Sequence, residues 1–99
     1  MRVEYSDASD DDLADIADYI ALDDPDRAKT FVGELVAFVD GVATRPLAFR
    51  LREEWGRQVR AAPYGNYLVI FETDEKVLTV LRIVNGRRDI AKLLAERLP

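Results

Sequence analysis

The sequence predicts an α+β fold: a helical hairpin packed on a small antiparallel sheet, completed by a short C-terminal helix. Three observations predict it. Apolar residues recur at helical spacing in two successive segments of the N-terminal half. Two runs rich in β-branched and aromatic residues follow in the C-terminal half, separated by turn-forming residues. Helices thus precede strands instead of alternating with them, which argues for an antiparallel sheet with its helices on one face.

Each element has a local cause. Met1–Tyr5 alternates, with Val3 and Tyr5 on one face, and reads as a short strand. Ser6 or Asp7 can cap the helix that follows, and the acidic run Asp10, Asp11 and Asp12 suits the positive end of its dipole. Leu13, Ile16, Ala17 and Ile20 form its apolar stripe, placing this helix from about Ser9 to Leu22. Asp24 then offers an N-cap and Pro25 suits a first helical position. Ala28, Phe31, Val32, Leu35, Phe38, Val39 and Val42 continue at helical spacing, so the second helix spans Pro25 to Val42. Ala43–Glu54 lacks a period and contains Pro46, and reads as a loop. A strand is expected over Arg57–Ala61, a turn at Pro63, Gly65 and Asn66, and a buried strand over Tyr67–Glu72. Asp74-Glu75-Lys76 turns the chain into Val77–Val84, forming a hairpin, and Asn85-Gly86 ends that strand. Asp89–Leu98, with Ile90, Leu93, Leu94 and Leu98, reads as the last helix. The order is β-α-α-β-β-β-α, and residues 1–99 read as a single domain.

Composition narrows function. The chain has 99 residues, is 48% hydrophobic and 33% charged, and reads as a globular domain. It has no Cys, which removes disulfides, thiolate nucleophiles and cysteine-held metals. It has no His, which removes serine triads, HExxH zinc chemistry and the usual base near neutral pH. No apolar run is long enough to span a bilayer and the N-terminus has no signal-peptide core, so a cytoplasmic location is expected. No cofactor or metal is expected. The acidic run lacks EF-hand spacing and its glycine, and reads as helix capping plus a solvated face. Glu53 and Glu54 have no convergent partner, and the five glycines form no phosphate-cradling pattern.

The net charge is −5, unevenly placed. Residues 1–50 carry 5 basic and 12 acidic side chains; residues 51–99 carry 9 basic, seven of them Arg, and 7 acidic. An acidic chain is a poor match for a phosphate backbone, so sequence-specific nucleic-acid binding is not expected. Arg fits carboxylate-bearing protein partners through its bidentate fork. The most pointed local feature is Asn85-Gly86-Arg87-Arg88-Asp89, two Arg where the last strand meets the last helix. It reads either as turn chemistry with local ion pairs or as a recognition site for a negative group. Trp55, beside Gly56-Arg57, reads as partly buried packing or as an interface anchor. Val36, Phe38, Val42, Leu47 and Phe49 exceed what one helix face needs, which points to apolar surface awaiting a partner.

These features, in this order, resemble a known family: Ser6 and Ala8, Asp12-Leu13, Ile16, Tyr19-Ile20, Pro25, Ala28, Phe31, Leu35, Pro46, Gly56-Arg57, the strand Tyr67 to Phe71, and Val84 to Asp89. The chain is similar over nearly its whole length to the RelE/ParE superfamily of toxins from bacterial type II toxin–antitoxin pairs, and specifically to the ParE branch. The resemblance implies a toxin that inhibits DNA gyrase and is neutralised, as a hetero-oligomer, by a ParD-like antitoxin. RelE-like relatives instead cut messenger RNA on the ribosome, using an Arg just after the strand Tyr and an aromatic acid/base residue near the last helix. Here Leu68 and Leu93 occupy those positions, leaving Arg87 as the remaining basic group. These departures favour the non-enzymatic branch over the endonuclease; a non-toxic antitoxin-binding module is the third reading. The expected contacts with the target or with the antitoxin are Trp55, Arg57, Arg60, Arg82, Arg87 and Arg88.

Overall fold

The structure, a computed structural model, describes residues 1–97. Strand β1 (Arg2–Tyr5) leads into α1 (Asp7–Ala21) and α2 (Pro25–Val42). Two short 3-10 turns, Pro46–Ala48 and Glu53–Trp55, carry the chain to β2 (Arg60–Tyr64), β3 (Tyr67–Thr73) and β4 (Val77–Asn85). Helix α3 (Ile90–Arg97) follows. The β-α-α-β-β-β-α order is the expected one. Leu98, expected in the last helix, lies outside the described residues.

The helix starts follow from their caps. Ser6 rather than Asp7 caps α1: its Oγ accepts the Ser9 N–H at 3.0 Å, so the helix begins two residues earlier than its apolar stripe suggests. The same hydroxyl donates to the Leu81 carbonyl at 2.8 Å, tying the start of α1 to β4. Asp24 caps α2, accepting the Arg27 N–H at 3.0 Å, with Pro25 in the first turn.

The sheet order is β1-β4-β3-β2. The three consecutive strands pair antiparallel, as expected. β1 adds to β4 in parallel, Arg2 beside Val77 through Tyr5 beside Val80, so the sheet is mixed. A parallel partner is possible because the helical hairpin and two further strands supply the long crossover that parallel pairing requires. A register shift between Ile70 and Phe71 marks a bulge opposite Val80–Arg82.

The first strand of the meander lies further along than its alternation predicts. β2 begins at Arg60 and includes Pro63, which was expected in a turn. Pro63 is tolerated because β2 is an edge strand, where a missing N–H is not required on the outer side. Register is set by the turn: Tyr64 pairs with Tyr67 across Gly65-Asn66, and Gly65 takes φ 58°, a value glycine reaches without strain. Gly56, at φ 78°, ends the second 3-10 turn in the same region of backbone space.

Both faces of the sheet are covered. Ile16, Phe31, Leu35, Val39 and Val42 of the hairpin pack on Ala62, Val69, Phe71, Leu78, Val80 and Ile83. On the other face Ile90, Leu93 and Leu94 of α3 pack with Val59, Ala61, Ile70, Leu81 and Val84. The helices therefore do not share one face. This explains the unbroken apolar run from Val69 to Phe71, since a strand buried on both sides need not alternate. Phe31 makes edge-to-face contacts with Tyr64 and Tyr67, both at 5.8 Å between centroids, locking α2 onto the β2–β3 turn.

Candidate protein-interaction surface

The six residues expected at a binding surface separate into three environments. Arg82 is withdrawn from solvent, only 5% exposed. Its Nε and Nη2 donate to the Asp12 carboxylate at 2.7 and 2.8 Å, and the same carboxylate accepts the Ile83 N–H at 2.9 Å. Asp12, 8% exposed, is thus a buried anchor between α1 and β4 and not part of the solvated acidic face. It also satisfies a backbone donor of β4 beyond the point where β1 stops pairing. Arg60 is half-buried and donates to the Phe49 carbonyl, holding the loop against β2. The bridge between Leu51 and Arg60 and the 2.7 Å bond from Arg52 N–H to the Val59 carbonyl reinforce that closure.

Trp55 and Arg57 form the second environment. Trp55 is half-buried, packed against the α3-side cluster, with the Arg52 guanidinium 4.9 Å from its ring centroid. Arg57 pairs with Glu72 at 3.5 Å. Together with Gly56 they line a surface depression floored by Ala91, Leu94 and Ala95 of α3. Trp55 thus serves packing while leaving part of its ring on an accessible rim.

Arg87 and Arg88 form the third, at the β4–α3 turn, and both are exposed. The turn is rigid: Asn85 Oδ1 accepts the Arg87 N–H at 2.9 Å, and the Asn85 carbonyl accepts the Arg88 N–H at 3.1 Å. Asp89 caps α3 through the Lys92 N–H at 3.2 Å, so the acidic member of the motif serves the helix. Arg87 shares a polar pocket with Asn66, Asn85 and Gly86. Arg88 lines a groove between α1 and the β3–β4 hairpin, with Asp12, Asp15, Ile16, Tyr19, Tyr67, Ile83, Val84 and Asn85.

Of the surplus apolar residues, Val42 is buried, Val36, Phe38 and Phe49 are half-buried, and Leu47 is exposed. Leu47 lies with Met1 along an apolar depression bounded by Thr44 to Ala48 and Thr73 to Glu75. A second apolar depression joins Phe38 and Phe49. The sequence reading missed Tyr19 and Leu22, which are 72% and 82% exposed. Both fall outside the stripe Leu13, Ile16, Ala17, Ile20, and that mismatch was the available signal.

Leu93 is buried and Leu68 half-buried, both in the α3-side cluster, so both fill core. Two carboxyls are clearly shifted, both downward. Glu54 is held low by its hydrogen bond to Arg50, and Asp74 by the backbone N–H groups of Lys76 and Val77. Among the described residues no group of three or more acidic side chains could hold a metal ion. No described helix is long and apolar enough to cross a membrane.

The described residues thus form a mixed four-stranded sheet with a helical hairpin on one face and a lone helix on the other, with Arg-bearing and apolar patches at the surface. The family model for the ParE toxin of the type II toxin–antitoxin system parDE matches residues 3–90. The chain belongs to that family and is the toxin component of a type II toxin–antitoxin pair. Among solved structures it is similar to a chain of the chromosomal ParDE toxin–antitoxin system from P. aeruginosa. The TM-score is 0.74 at 20% identity, covering 86% of this chain and 95% of that one, a likeness of fold. No curated protein sequence matches the chain.

Proposed function

We propose that this chain inhibits DNA gyrase by binding it, without catalysing a reaction of its own, and that a ParD-like antitoxin silences it in the bacterial cytoplasm. The family match over residues 3–90 carries this reading. The core-filling Leu68 and Leu93 support the non-enzymatic branch, because cleavage of RNA needs positioned acid, base and charge-stabilising groups. Arg87 and Arg88 are the target contacts best supported by placement, being exposed on a turn fixed at both ends. Arg57 and the exposed rim of Trp55 extend the candidate surface along α3. Arg60 and Arg82 support it from within, as ties between loop, helix and sheet.

The test is a gyrase supercoiling and DNA-cleavage assay with the purified chain, with and without the antitoxin of the adjacent gene. Inhibition with trapped cleaved DNA, reversed by the antitoxin and weakened by a charge reversal at Arg87 and Arg88, is the expected result. Normal gyrase turnover at saturating chain would refute the target assignment. Cleavage of message on ribosomes, lost in Arg87→Ala, would replace it with the endonuclease reading.

A further inference from the structure

Asn85-Gly86 joins β4 to the turn that carries Arg87 and Arg88, and all four residues are exposed. The Asn-Gly pair is also chemically reactive. The backbone nitrogen of the next residue can attack an asparagine side-chain amide, and a glycine there leaves that nitrogen unhindered because it has no Cβ. Asparagine is accordingly one of the thermolabile residues. The other asparagine, Asn66, is followed by the bulky Tyr67. The backbone does not demand glycine at 86: the positive φ values belong to Gly56 and Gly65, and a Cβ on Gly86 would meet the Leu68 side chain at an ordinary 3.6 Å. Two hydrogen bonds hold the reacting atoms. The Gly86 N–H donates to the Asn66 carbonyl at 3.1 Å, and Asn85 Oδ1 accepts the Arg87 N–H at 2.9 Å. They act in opposite directions. Attack requires the Gly86 nitrogen to lose its proton, and in the closed turn the resulting anion would face a carbonyl oxygen, which disfavours it. The Arg87 N–H instead draws electron density from Asn85 Cγ. The Arg87 and Arg88 guanidiniums, which form no ion pair among the described residues, favour the anion. The bond from Gly86 to Asn66 is thus the lock on an otherwise activated pair.

We propose that Asn85-Gly86 is a self-modification site gated by that hydrogen bond: the chain deamidates there when the turn opens and stays intact while it is closed. The step balances with water alone. Hydroxide takes the Gly86 N–H proton and the nitrogen attacks Asn85 Cγ. The Cγ–Nδ2 bond breaks, and Nδ2 leaves as ammonia with a proton from water. Water then opens the cyclic imide at either carbonyl, giving an aspartyl or an isoaspartyl residue at position 85. Either product sets a carboxylate beside Arg87 and Arg88 and offsets the positive charge of the turn. The isoaspartyl product also adds a main-chain carbon where Asn85 pairs with Tyr67, a few residues before α3. That insertion loosens the seating of Ile90, Leu93 and Leu94 on the sheet. The site is independent of which target the chain binds.

The experiment ages the purified full chain at one mildly alkaline pH, folded in buffer and unfolded in guanidinium chloride. Trypsin cuts after Arg82 and Arg87 and releases residues 83–87, whose asparaginyl, aspartyl and isoaspartyl forms are counted by chromatography and mass spectrometry. Conversion at Asn85 is expected to be at least about tenfold slower in the folded chain, because it waits for local opening. In the unfolded chain Asn85 should convert at least about tenfold faster than Asn66, and Gly86→Ala should remove most of that difference. Two folded variants, checked by circular dichroism, locate the gate. Gly65→Ala strains the φ 58° turn that presents the Asn66 carbonyl, and should speed conversion about threefold. Ser6→Ala weakens the fold away from this turn and should leave the rate unchanged. Equal rates in the folded and unfolded parent would overturn the gating. Equal acceleration by Ser6→Ala and Gly65→Ala would assign opening to global unfolding and overturn the local lock. An unfolded Asn85 no faster than Asn66, or a Gly86→Ala chain as fast as the parent, would overturn the site itself.

Discussion

Removing the Asp12 carboxylate is expected to be the most destabilising single polar change in this protein. That carboxylate accepts three hydrogen bonds, two from Arg82 and one from the Ile83 N–H, all at 2.9 Å or less. Asp12→Ala leaves a guanidinium that is 5% exposed without its countercharge and a backbone N–H of β4 without its acceptor. Breaking a buried ion pair from one side costs about 3–5 kcal/mol, chiefly because the surviving charge stays buried. A domain of this length has only about 5–15 kcal/mol in total, so the change removes a large share of it. At about 4–8 °C per kcal/mol, the melting temperature falls by roughly 12–40 °C. Urea unfolding followed by fluorescence of Trp55, the single tryptophan, and by far-ultraviolet circular dichroism measures it. The double variant Asp12→Leu with Arg82→Met separates pairing from packing. It should recover the share of the loss due to the unpaired guanidinium, while the Ile83 N–H stays without its acceptor. A loss below about 1 kcal/mol for Asp12→Ala would refute the reasoning, because surface ion pairs of that worth need no burial.

Three further outcomes follow from the same geometry. Tyr5 has a buried hydroxyl with no hydrogen-bond partner among the described residues, and burial raises its pKa, with Asp40 and Asp10 adding to the rise. Tyr5→Phe should therefore be neutral or stabilising by up to about 1–2 kcal/mol in urea unfolding. Because the folded pKa lies above the unfolded value of about 10, parental stability falls as pH rises through that region, and Tyr5→Phe should flatten this alkaline limb. Asp74 has a lowered pKa because its carboxylate accepts the Lys76 and Val77 N–H groups at 2.7 and 2.8 Å. Its contribution is present above an unfolded pKa of about 3.9 and lost as pH falls through the lower folded value. Asp74→Ala should accordingly lower the melting temperature at neutral pH and weaken the acid dependence below about pH 4. Ser6→Ala removes both the α1 cap and the bond to the Leu81 carbonyl, and should cost about 1–3 kcal/mol by chemical unfolding.

Much of this architecture was legible in the sequence because its causes are local. α2 spans the limits that Asp24-Pro25 and the apolar period set, Pro25–Val42. The β3–β4 hairpin follows from two strongly β-forming runs flanking Asp74-Glu75-Lys76. The rigid Asn85-to-Asp89 turn was visible as a motif, although only the structure shows Asp89 capping α3 while Arg87 and Arg88 face solvent. Where signals were local but competing, the nearer one prevailed: Ser6 over Asp7 as cap, and the Gly65-Asn66 turn over Pro63 as the limit of β2.

The tertiary structure decided what depends on residues far apart in the chain. Parallel pairing of β1 with β4 joins segments about 75 residues apart, and no period or turn residue encodes it. The placement of α3 on the opposite face turns the apolar runs of β3 and β4 from a one-sided sheet into a central layer. The Asp12–Arg82 pair links positions 70 residues apart and reverses the reading of both: a solvated acid and an exposed cation become one buried tie. A sequence reports the charge and periodicity of each residue directly. Burial, which determines whether an arginine binds a partner or braces a helix, depends on neighbours that only the folded chain supplies.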